Sequence, residues 1–301
     1  MQWLRYRFEY GCVVVLAGLV RLLPVACSYG MARLLAWAFF HVGLRRRRIT
    51  LANLRAAFPE WGRAECRRVA KASYRNVALA VMEGMLVLTG RRGEEDLLSM
   101  VEVDEWDKLD RIDRENGRRG LLFVTAHFGN WEMLSHYVAI RAECPCNVVG
   151  RKTTNPLLEE KVVQPLRERF GSRLIHKKRA MIRCIKALNR GEYVGLLIDQ
   201  KSNKKDGVEV EFFGQSIYAT ATPAVLQMRY DVPVISAFVV RCAPKKYRFV
   251  VGGPIPWEDT GAPQEEQVRA LTQRHQQEIE TMIRQYPEQW FWMHDRWRRE
   301  S

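Results

Sequence analysis

The chain has few of the residues that mark a disulfide-bonded or a metal-binding protein. Its 301 residues include seven cysteines, an odd number at irregular positions, and six histidines. Cys144-Pro145-Cys146 lacks the CxxC spacing and has no second Cys or His pair nearby, so we interpret it as structural. HExxH and dense histidine clusters are also lacking. We therefore expect a reducing compartment, no disulfide framework and no metal site.

Long apolar runs, internal repeats, low-complexity segments and flexible linkers are missing as well. Residues 10–44 are rich in Val, Leu, Ala, Phe and Trp, but Arg21 and Pro24 interrupt them. The longest clean stretch, residues 11–20, has ten residues, whereas a simple membrane-spanning helix needs about twenty. The sequence therefore predicts no simple span, and a single catalytic domain.

Positive charge flanks this apolar region on both sides. Arg5 and Arg7 precede it and Arg45-Arg46-Arg47-Arg48 follow it, and both flanks favour the cytoplasmic side of a membrane. We predict that residues 1–48 form a hydrophobic helical anchor in the inner leaflet, on the cytoplasmic face of the cell inner membrane. Residues 49–301 are then the catalytic domain.

A cleaved signal peptide is the alternative interpretation of the N-terminus. Leu23-Pro24-Val25-Ala26 before Cys27 loosely resembles a lipoprotein cleavage site. The number of cysteines argues against export.

The chain has a formal net charge of +14 and a pI near 9.7, which predicts an anionic partner. Nucleic acid, an anionic membrane surface, a phosphorylated substrate and an acidic carrier protein all fit this charge. Between residues 151 and 190, twelve Lys and Arg residues face only three acids. Such a run is ordinarily a solvated basic face, and functionally it would attract phosphates or an acidic carrier.

The segment His127-Phe128-Gly129-Asn130-Trp131-Glu132 places a base and a carboxylate after an apolar run. On a regular helix or strand these two side chains point apart. Residues 121–124 indicate a buried strand, Gly129 permits a sharp turn, and Asn130 is a good N-cap for a helix from Trp131. His127 and Glu132 can then meet, which suits general-base catalysis. A buried histidine beside a helix-start acid is the structural alternative.

Short β-like runs alternate with helical patterns along the rest of the chain. Helical periodicity covers residues 51–88. The predicted later strands are 146–149, 193–198, 233–240 and 247–251, and the predicted later helices are 156–170, 181–189, 222–230 and 265–284. This alternation predicts an α/β fold with a largely buried mixed sheet flanked by helices.

Further candidate site residues follow the predicted strands. Arg151 is a candidate for phosphate or oxyanion contact, or else a surface arginine. Asp199 and Gln200 follow a strictly apolar strand, where a site is favoured, although a solvated turn is the alternative. Phe212 and Phe213 could line a tunnel or pack the core.

Five ordered blocks of this chain resemble the lipid A biosynthesis late acyltransferases, the lauroyl and myristoyl transferases within the lysophospholipid acyltransferase superfamily. They are HFGNWE at 127–132, Gly150-Arg151 with Asn155-Pro156, Asp199-Gln200, Phe212-Phe213-Gly214 with Thr222-Pro223-Ala224, and Tyr286-Pro287-Glu288-Gln289-Trp290-Phe291-Trp292-Met293-His294. The resemblance covers essentially the whole chain. Asp295 departs from it, because the family usually has a basic residue there.

The resemblance implies a membrane-associated acyltransferase of lipopolysaccharide biosynthesis. It would move a fatty acyl chain from an acyl carrier protein thioester to a hydroxyl of an anionic lipid A precursor, with no cofactor beyond the thioester. By match to the HX4E motif, His127 is the general base and Glu132 its partner, and transfer is direct, without an acyl-enzyme. Coenzyme A is the alternative carrier of the donor chain.

Further site residues are predicted beside this pair. Contact with the substrate or the oxyanion is expected for four residues: Arg151, Asn130, Asp199 and Gln200. An acyl pocket is expected to be lined by four aromatic residues: Phe128, Trp131, Phe212 and Phe213.

Other functions stay open at this point. Within the acyltransferases, the acceptor could be a lysophospholipid, a glycolipid or an ornithine lipid. A metal-dependent hydrolase could recruit His127, Glu132 and Asp199. A non-enzymatic binder of anionic membrane or nucleic acid would use the arginines and the C-terminal aromatic residues, although no nucleic-acid motif is present.

Overall fold

Four helices form the first part of the computed structural model, which describes residues 2–176 and 180–297. They are α1 (Gln2–Leu22), α2 (Val25–Val42), α3 (Leu44–Ala57) and α4 (Arg63–Leu88). Pro24 precedes α2, where its missing N–H is tolerated. The helical pattern predicted over residues 51–88 is present but divided, because residues 58–62 separate α3 from α4.

A seven-stranded mixed sheet with the order β1-β9-β8-β2-β5-β3-β4 forms the centre of the fold. Its strands are β1 (Val101–Asp104), β2 (Leu122–Thr125), β3 (Cys146–Gly150), β4 (Ser172–His176), β5 (Tyr193–Leu197), β8 (Val234–Ala243) and β9 (Lys246–Pro254). Neighbouring strands are parallel except β8 and β9. A separate antiparallel hairpin contains β6 (Gly207–Phe212) and β7 (Gln215–Thr220).

Helices cover both faces of this sheet. They are α5 (Glu94–Ser99), α6 (Trp106–Glu115), α7 (Trp131–Ala142), α8 (Pro156–Leu158), α9 (Gln164–Arg167), α10 (Ala180–Leu188), α11 (Thr222–Tyr230) and α12 (Gln264–Gln285). One π-helical turn, Glu159–Val163, joins α8 to α9. The predicted α/β fold with a mixed sheet and flanking helices is confirmed.

The central strand β2 is buried on both faces, as expected for a parallel strand between helix layers. Leu122 and Val124 face a core shared with α4, α10 and α12. Phe123 faces the opposite core, shared with α5, α6 and α7. This alternation with a period of two residues is the side-chain pattern of a β-strand.

Sequence patterns located the long elements well. Each strand and helix predicted after the HFGNWE segment is present, with its ends within three residues of the expected ones. The patterns missed β1, β4, α5, α6 and the β6–β7 hairpin. Strands β1 and β4 and helix α5 are short, and β1 exposes three of its four residues, so these elements offer little apolar periodicity. Helix α6, which buries Leu109 and Ile112, and strand β6, which alternates Val208, Val210 and Phe212 with polar residues, do have the expected periodicity, and the sequence-based prediction overlooked it.

Helix α2 packs on α4 along one stripe and exposes its opposite face. The buried residues of the stripe recur at helical spacing: Ser28, Tyr29, Ala32, Ala36 and Phe40. The exposed face carries large apolar side chains: Leu34, Trp37, Phe39 and Val42. Among residues 2–176 and 180–297, α2 is the one helix long and apolar enough to cross a membrane, and 28% of it is buried in the protein.

The predicted boundary between residues 48 and 49 lies inside α3. Ala36 and Phe40, which belong to the predicted anchor, pack in the same core as Leu54 and β2. The N-terminal segment is therefore helical, as expected. Its membrane anchoring and its separation as a domain remain predictions.

The HFGNWE segment is the turn from β2 to α7, as predicted. Asn130 caps α7, because its Oδ1 accepts a hydrogen bond from the Met133 N–H at 3.2 Å. Gly129 has a φ of +56° and packs against β8, so closely that a Cβ atom there would lie 1.9 Å from the Val239 carbonyl oxygen.

Gly129→Ala is expected to destabilise the fold much more than Gly214→Ala. Both glycines have positive φ, but nothing lies within 4 Å of a Cβ atom at Gly214. We expect Gly214→Ala to cost about 1 kcal/mol of unfolding free energy and Gly129→Ala at least about 3 kcal/mol. Denaturant unfolding of the two variants measures both, and equal losses would contradict the close approach to β8.

Candidate active site

His127 and Asp199 lie side by side at the carboxyl edge of the sheet. Strands β2 and β5 are adjacent and parallel, with Thr125 paired to Leu197. His127 and Asp199 each stand two positions beyond that pair, so the register brings them to the same height. This edge is where open α/β sheets bind their ligands.

Asp199 is held by three hydrogen bonds and is 2% exposed. His127 Nδ1 lies 2.9 Å from Oδ1, and the His127 backbone N–H donates to Oδ2 at 3.0 Å. Trp290 Nε1 also donates to Oδ2, at 2.8 Å. The carboxylate is therefore fixed relative to both the backbone and the imidazole of His127.

These contacts keep Asp199 ionised. Burial acts to raise the pKa of Asp199, but attraction to His127 and the hydrogen bonds from His127 and Trp290 outweigh it and lower this pKa to about 2. A charged carboxylate on Nδ1 stabilises an imidazolium whenever His127 takes up a proton.

The second imidazole nitrogen of His127 is the one available for chemistry. Because Nδ1–H donates to Asp199, the lone pair lies on Nε2. The His127 side chain is 21% exposed. The side-chain nitrogen of Gln200, an exposed residue, lies 3.3 Å from Nε2. This tautomer is the one that a general base requires.

Glu132 pairs with Arg167 of α9 and not with His127. The Glu132 carboxylate accepts hydrogen bonds from Arg167 Nη2 at 2.8 Å and from Arg167 Nε at 3.1 Å, and Trp131 Nε1 adds one at 3.2 Å. The expected hydrogen-bonded pair of His127 and Glu132 is therefore corrected to His127 and Asp199. The reason is that Glu132, in the first turn of α7, reaches α9, whereas His127 sits at the strand edge beside β5.

Glu132 nevertheless contributes negative charge to the site. Burial opposes its ionisation, but the ion pair with Arg167, with smaller attractions to His136 and His127, lowers the pKa of Glu132. The site thus has two ionised carboxylates with different partners, Asp199 with His127 and Glu132 with Arg167.

Gly150 makes room for Arg167. A Cβ atom at Gly150 would lie 3.3 Å from Arg167 Nη1 and 3.0 Å from Leu174 Cδ1. Arg151 is exposed in the loop after β3, at the same edge of the sheet as His127, because β3, β5 and β2 are parallel. Its predicted contact with substrate stays a prediction.

Asn130 serves the fold more directly than the substrate. Both polar atoms of its side chain are hydrogen-bonded, since Oδ1 caps α7 and Nδ2 donates to Glu83 at 2.8 Å. At 3% exposure it faces the interior. Its predicted contact with the substrate or the oxyanion stays a prediction.

The residues predicted for an acyl pocket occupy two different environments. Phe128, Phe212 and Phe213 are buried in the main core, which is the packing alternative left open for the last two. Trp131 is half-buried, and its ring lies 5.5 Å from that of His127. Trp131 is thus the member of this group that adjoins the site.

A narrow, mostly apolar cavity lies beside Glu132, between α4, α5, α7 and α9. Its apolar lining comes from six residues: Gly84, Val87, Leu97, Met100, Met133 and Leu166. Six polar or charged residues also line it: Tyr29 of α2, Glu83, Arg92, Asn130, Glu132 and His136. None of the four predicted acyl-pocket residues does so.

The C-terminal block packs against the edge of the sheet that carries His127 and Asp199. The Phe291 N–H donates to the His127 carbonyl at 3.0 Å, and the Lys201 N–H donates to His294 Nε2 at 3.3 Å. Burial is the main cause that lowers the pKa of His294. Asp295, where the family pattern has a basic residue, is half-buried beside Arg296, which is 1% exposed.

Some residues invoked for other functions are placed differently from what those functions need. Trp290 and Trp292 are buried in the core, so they do not offer ring faces to a nucleic acid. Arg298, Arg299 and residues 177–179 of the basic run lie outside the described residues. In the described ranges, no three His, Cys, Asp or Glu side chains form a group that could hold a metal ion.

Three residues with roles at this site escaped sequence reasoning. Arg167 was one arginine among many in a basic run, and Trp290 was known only as part of a resembling block. Glu83 had a usable signal, because a single carboxylate in the apolar stretch Ala80-Val81-Met82-Glu83-Gly84-Met85-Leu86 points to a buried partner.

The chain belongs to the bacterial lipid A biosynthesis acyltransferase family, which matches residues 2–299. It is 24% identical over 257 residues to the lipid A biosynthesis lauroyltransferase of Escherichia coli (strain K12), covering 84% of this chain and 79% of that one. The palmitoleoyltransferase of the same strain and the lipid A biosynthesis acyltransferase of Shigella flexneri are each 25% identical with the same coverage. The chain is therefore an acyltransferase of lipid A biosynthesis.

Asp199→Asn is expected to lower kcat by about 10³- to 10⁴-fold, because an amide facing Nδ1 favours the wrong imidazole tautomer. Asp113→Asn is the matched control, since Asp113 is an equally buried carboxylate that accepts from Tyr193. Initial rates of acyl transfer measure the difference. If kcat stays near normal in Asp199→Asn and falls only in Glu132→Gln, Glu132 and not Asp199 is the functional partner of His127.

Proposed function

We propose that this chain transfers a fatty acyl group directly from an acyl carrier protein thioester to a hydroxyl of a lipid A precursor, with His127 as general base. Membership of the family supports lipid A acylation. The observation that carries the proposed chemistry is the 2.9 Å contact between His127 Nδ1 and Asp199 Oδ1, which puts the lone pair of the imidazole on Nε2, where it can accept a proton.

The proposed reaction has two steps and no acyl-enzyme. Nε2 of His127 removes the proton of the acceptor hydroxyl as its oxygen attacks the thioester carbonyl carbon. The tetrahedral intermediate then collapses, the C–S bond breaks, and the imidazolium returns the proton to the leaving thiolate. Asp199 stabilises the imidazolium between these steps.

An amide near Nε2 and a cation at the same edge of the sheet support stabilisation of the oxyanion. Gln200 has its side-chain nitrogen 3.3 Å from Nε2, and Arg151 lies at the same edge of the sheet. We propose that these two groups approach the carbonyl oxygen as it becomes negative. Glu132 and Arg167 then fix the wall of the site through their ion pair.

The basic surface supports an acidic carrier as donor. Arg183 and Lys186 are exposed on α10, which follows β4 and begins at the same edge of the sheet as the site. Acyl carrier protein is an acidic protein, so this surface favours it electrostatically. Coenzyme A remains the alternative carrier.

The N-terminal helices support seating on the cytoplasmic face of the inner membrane. Because α2 packs a stripe on α4, its exposed apolar face can enter the membrane surface while the helix stays in plane. Arg45, Arg46 and Arg48 are exposed at the start of α3, where they can meet anionic headgroups.

His127→Ala is expected to abolish acyl transfer, with a loss of at least about 10³-fold, while membrane association persists. The assay supplies acyl carrier protein thioesters of several chain lengths and a tetraacylated lipid A precursor, and mass spectrometry follows the gain of one acyl chain. Sedimentation with membranes is the control for correct seating. Normal rates in this variant would overturn the proposed base, and transfer only to lysophospholipid, glycolipid or ornithine lipid would reassign the acceptor.

Gly84→Val tests whether the cavity beside Glu132 receives the donor acyl chain. A Cβ atom at Gly84 would already lie 3.1 Å from Leu166 Cδ2, so added methyl groups shorten the cavity. We expect kcat/KM for the longest accepted chain to fall about tenfold relative to a shorter chain. Gly30→Val is the matched control, since nothing lies within 4 Å of a Cβ atom there. Unchanged length preference in Gly84→Val would place the chain elsewhere.

A further inference from the structure

Glu83 is a buried carboxylate outside the proposed acid–base pair. It lies on α4 and is 4% exposed. A buried carboxylate destabilises a protein unless it is paired and hydrogen-bonded, so its partners reveal what it holds in place.

Four side chains from four different parts of the fold converge on Glu83. Arg241 of β8 makes a bidentate ion pair, with Nη1 2.8 Å from Oε1 and Nη2 2.9 Å from Oε2. Asn130 Nδ2 donates to Oε2 at 2.8 Å, and Tyr29 of α2 donates to Oε1 at 3.1 Å. The hydroxyl of Tyr247, on β9, also donates to Oε2.

Both tyrosines act as donors in this cluster. Burial, with the negative charge of Glu83, raises the pKa of Tyr29 and the pKa of Tyr247 above the usual value. Their hydroxyls therefore stay protonated. All hydrogen bonds described for Glu83 point toward its carboxylate, as its charge requires.

Helix α4 holds the HFGNWE turn through two hydrogen bonds, one at each of two residues of the turn. Glu83 holds the amide of Asn130, the N-cap of the helix that carries Glu132. Asn76 lies seven residues earlier, on the same face of α4, and its Nδ2 donates to the Gly129 carbonyl at 2.9 Å. Arg241 joins the two, because its Nε donates to Asn76 Oδ1 at 2.9 Å.

Tyr29 connects these hydrogen bonds between α4 and the turn to the N-terminal helices. It belongs to the buried stripe of α2, and the opposite face of the same helix exposes apolar side chains. Its hydroxyl reaches the carboxylate that holds Asn130. The Glu83 carboxylate therefore accepts hydrogen bonds both from α2, through Tyr29, and from the HFGNWE turn, through Asn130.

We propose that Glu83 is a positioning residue for the HFGNWE turn, and that Tyr29 makes this positioning depend on the docking of α2 against α4. The inference rests on the proposed function, because it takes His127 and Glu132 as groups of the active site. Glu83 acts on them through Asn130 and, by way of Arg241 and Asn76, through the Gly129 carbonyl.

Glu83→Gln is the first test, since it preserves volume but removes the charge and turns one acceptor into a donor. We expect kcat to fall about 10- to 100-fold with KM within about threefold of the original value, because the turn is displaced while glutamine preserves the volume of the side chain at position 83 in the cavity wall. The measurement is steady-state acyl transfer on folded, monodisperse protein. A kcat within twofold of the original would overturn the role of Glu83.

Tyr29→Phe separates positioning from plain stability. Tyr193→Phe is the matched control, since Tyr193 also donates from a buried hydroxyl to a buried carboxylate, Asp113, at 2.9 Å, near the opposite end of β5 from Asp199. We expect similar losses of thermal stability in both, but a kcat loss of about fivefold only in Tyr29→Phe. Equal kcat in the two variants would overturn the link to α2.

A double variant supplies a rescue that a general loss of stability would not produce. Asn130→Asp alone sets two carboxylates against each other, although aspartate caps a helix as well as asparagine does. Combined with Glu83→Gln, the new amide at position 83 can donate to the new carboxylate at position 130. We expect the double variant to recover kcat at least about fivefold over the poorer single variant.

A double variant no better than that single variant would contradict direct contact between these positions as the cause. Failure of the proposed function would appear differently, as acyl transfer that does not need His127. Failure of the present inference alone would appear as His127-dependent transfer that is indifferent to substitution at Glu83.

Discussion

The pairing of β2 with β5 is the constraint on which the rest of this site depends. Two parallel strands in register end with a histidine on one and an aspartate on the other. Burial alone acts to raise the pKa of that aspartate, and the hydrogen-bond donors of His127 and Trp290 oppose this effect. Two distant segments of the chain, around residues 199 and 290, must therefore be in place before the imidazole has a defined tautomer.

Helix α4 connects most of the structure to that edge. Its apolar residues contribute to all three cores, including the one shared with α1 and α2. Its buried polar residues reach the turn and the C-terminal block, since Ser73 donates to the Trp290 carbonyl at 2.6 Å and Asn76 to that of Gly129. An apolar face with a few buried polar groups gives one helix both stability and directional contacts.

The sequence revealed what depends on local periodicity and residue type. The buried strand, the glycine turn and the Asn130 cap were predictable, because strand burial, positive φ and capping each have a local signature. The partners were not. Asp199 lies 72 residues from His127 and Arg167 lies 35 residues from Glu132, and neither the strand register nor the direction of α9 can be read from composition. Two long-range signals were available: the carboxylate of Asp199 directly after an apolar strand, and the lone charge of Glu83 in an apolar stretch of helix.

The four residues between His127 and Glu132 also acquire a different meaning. Phe128 packs in the core, Gly129 lies against a neighbouring backbone, Asn130 starts the helix and Trp131 forms a wall. The four-residue spacing therefore does not set a distance between two reacting groups. It is the length of chain that this fold needs to pass from strand β2 into helix α7. An unrelated protein could have the same chemistry with another spacing, provided that a carboxylate follows the end of the strand adjacent to the one that precedes the histidine.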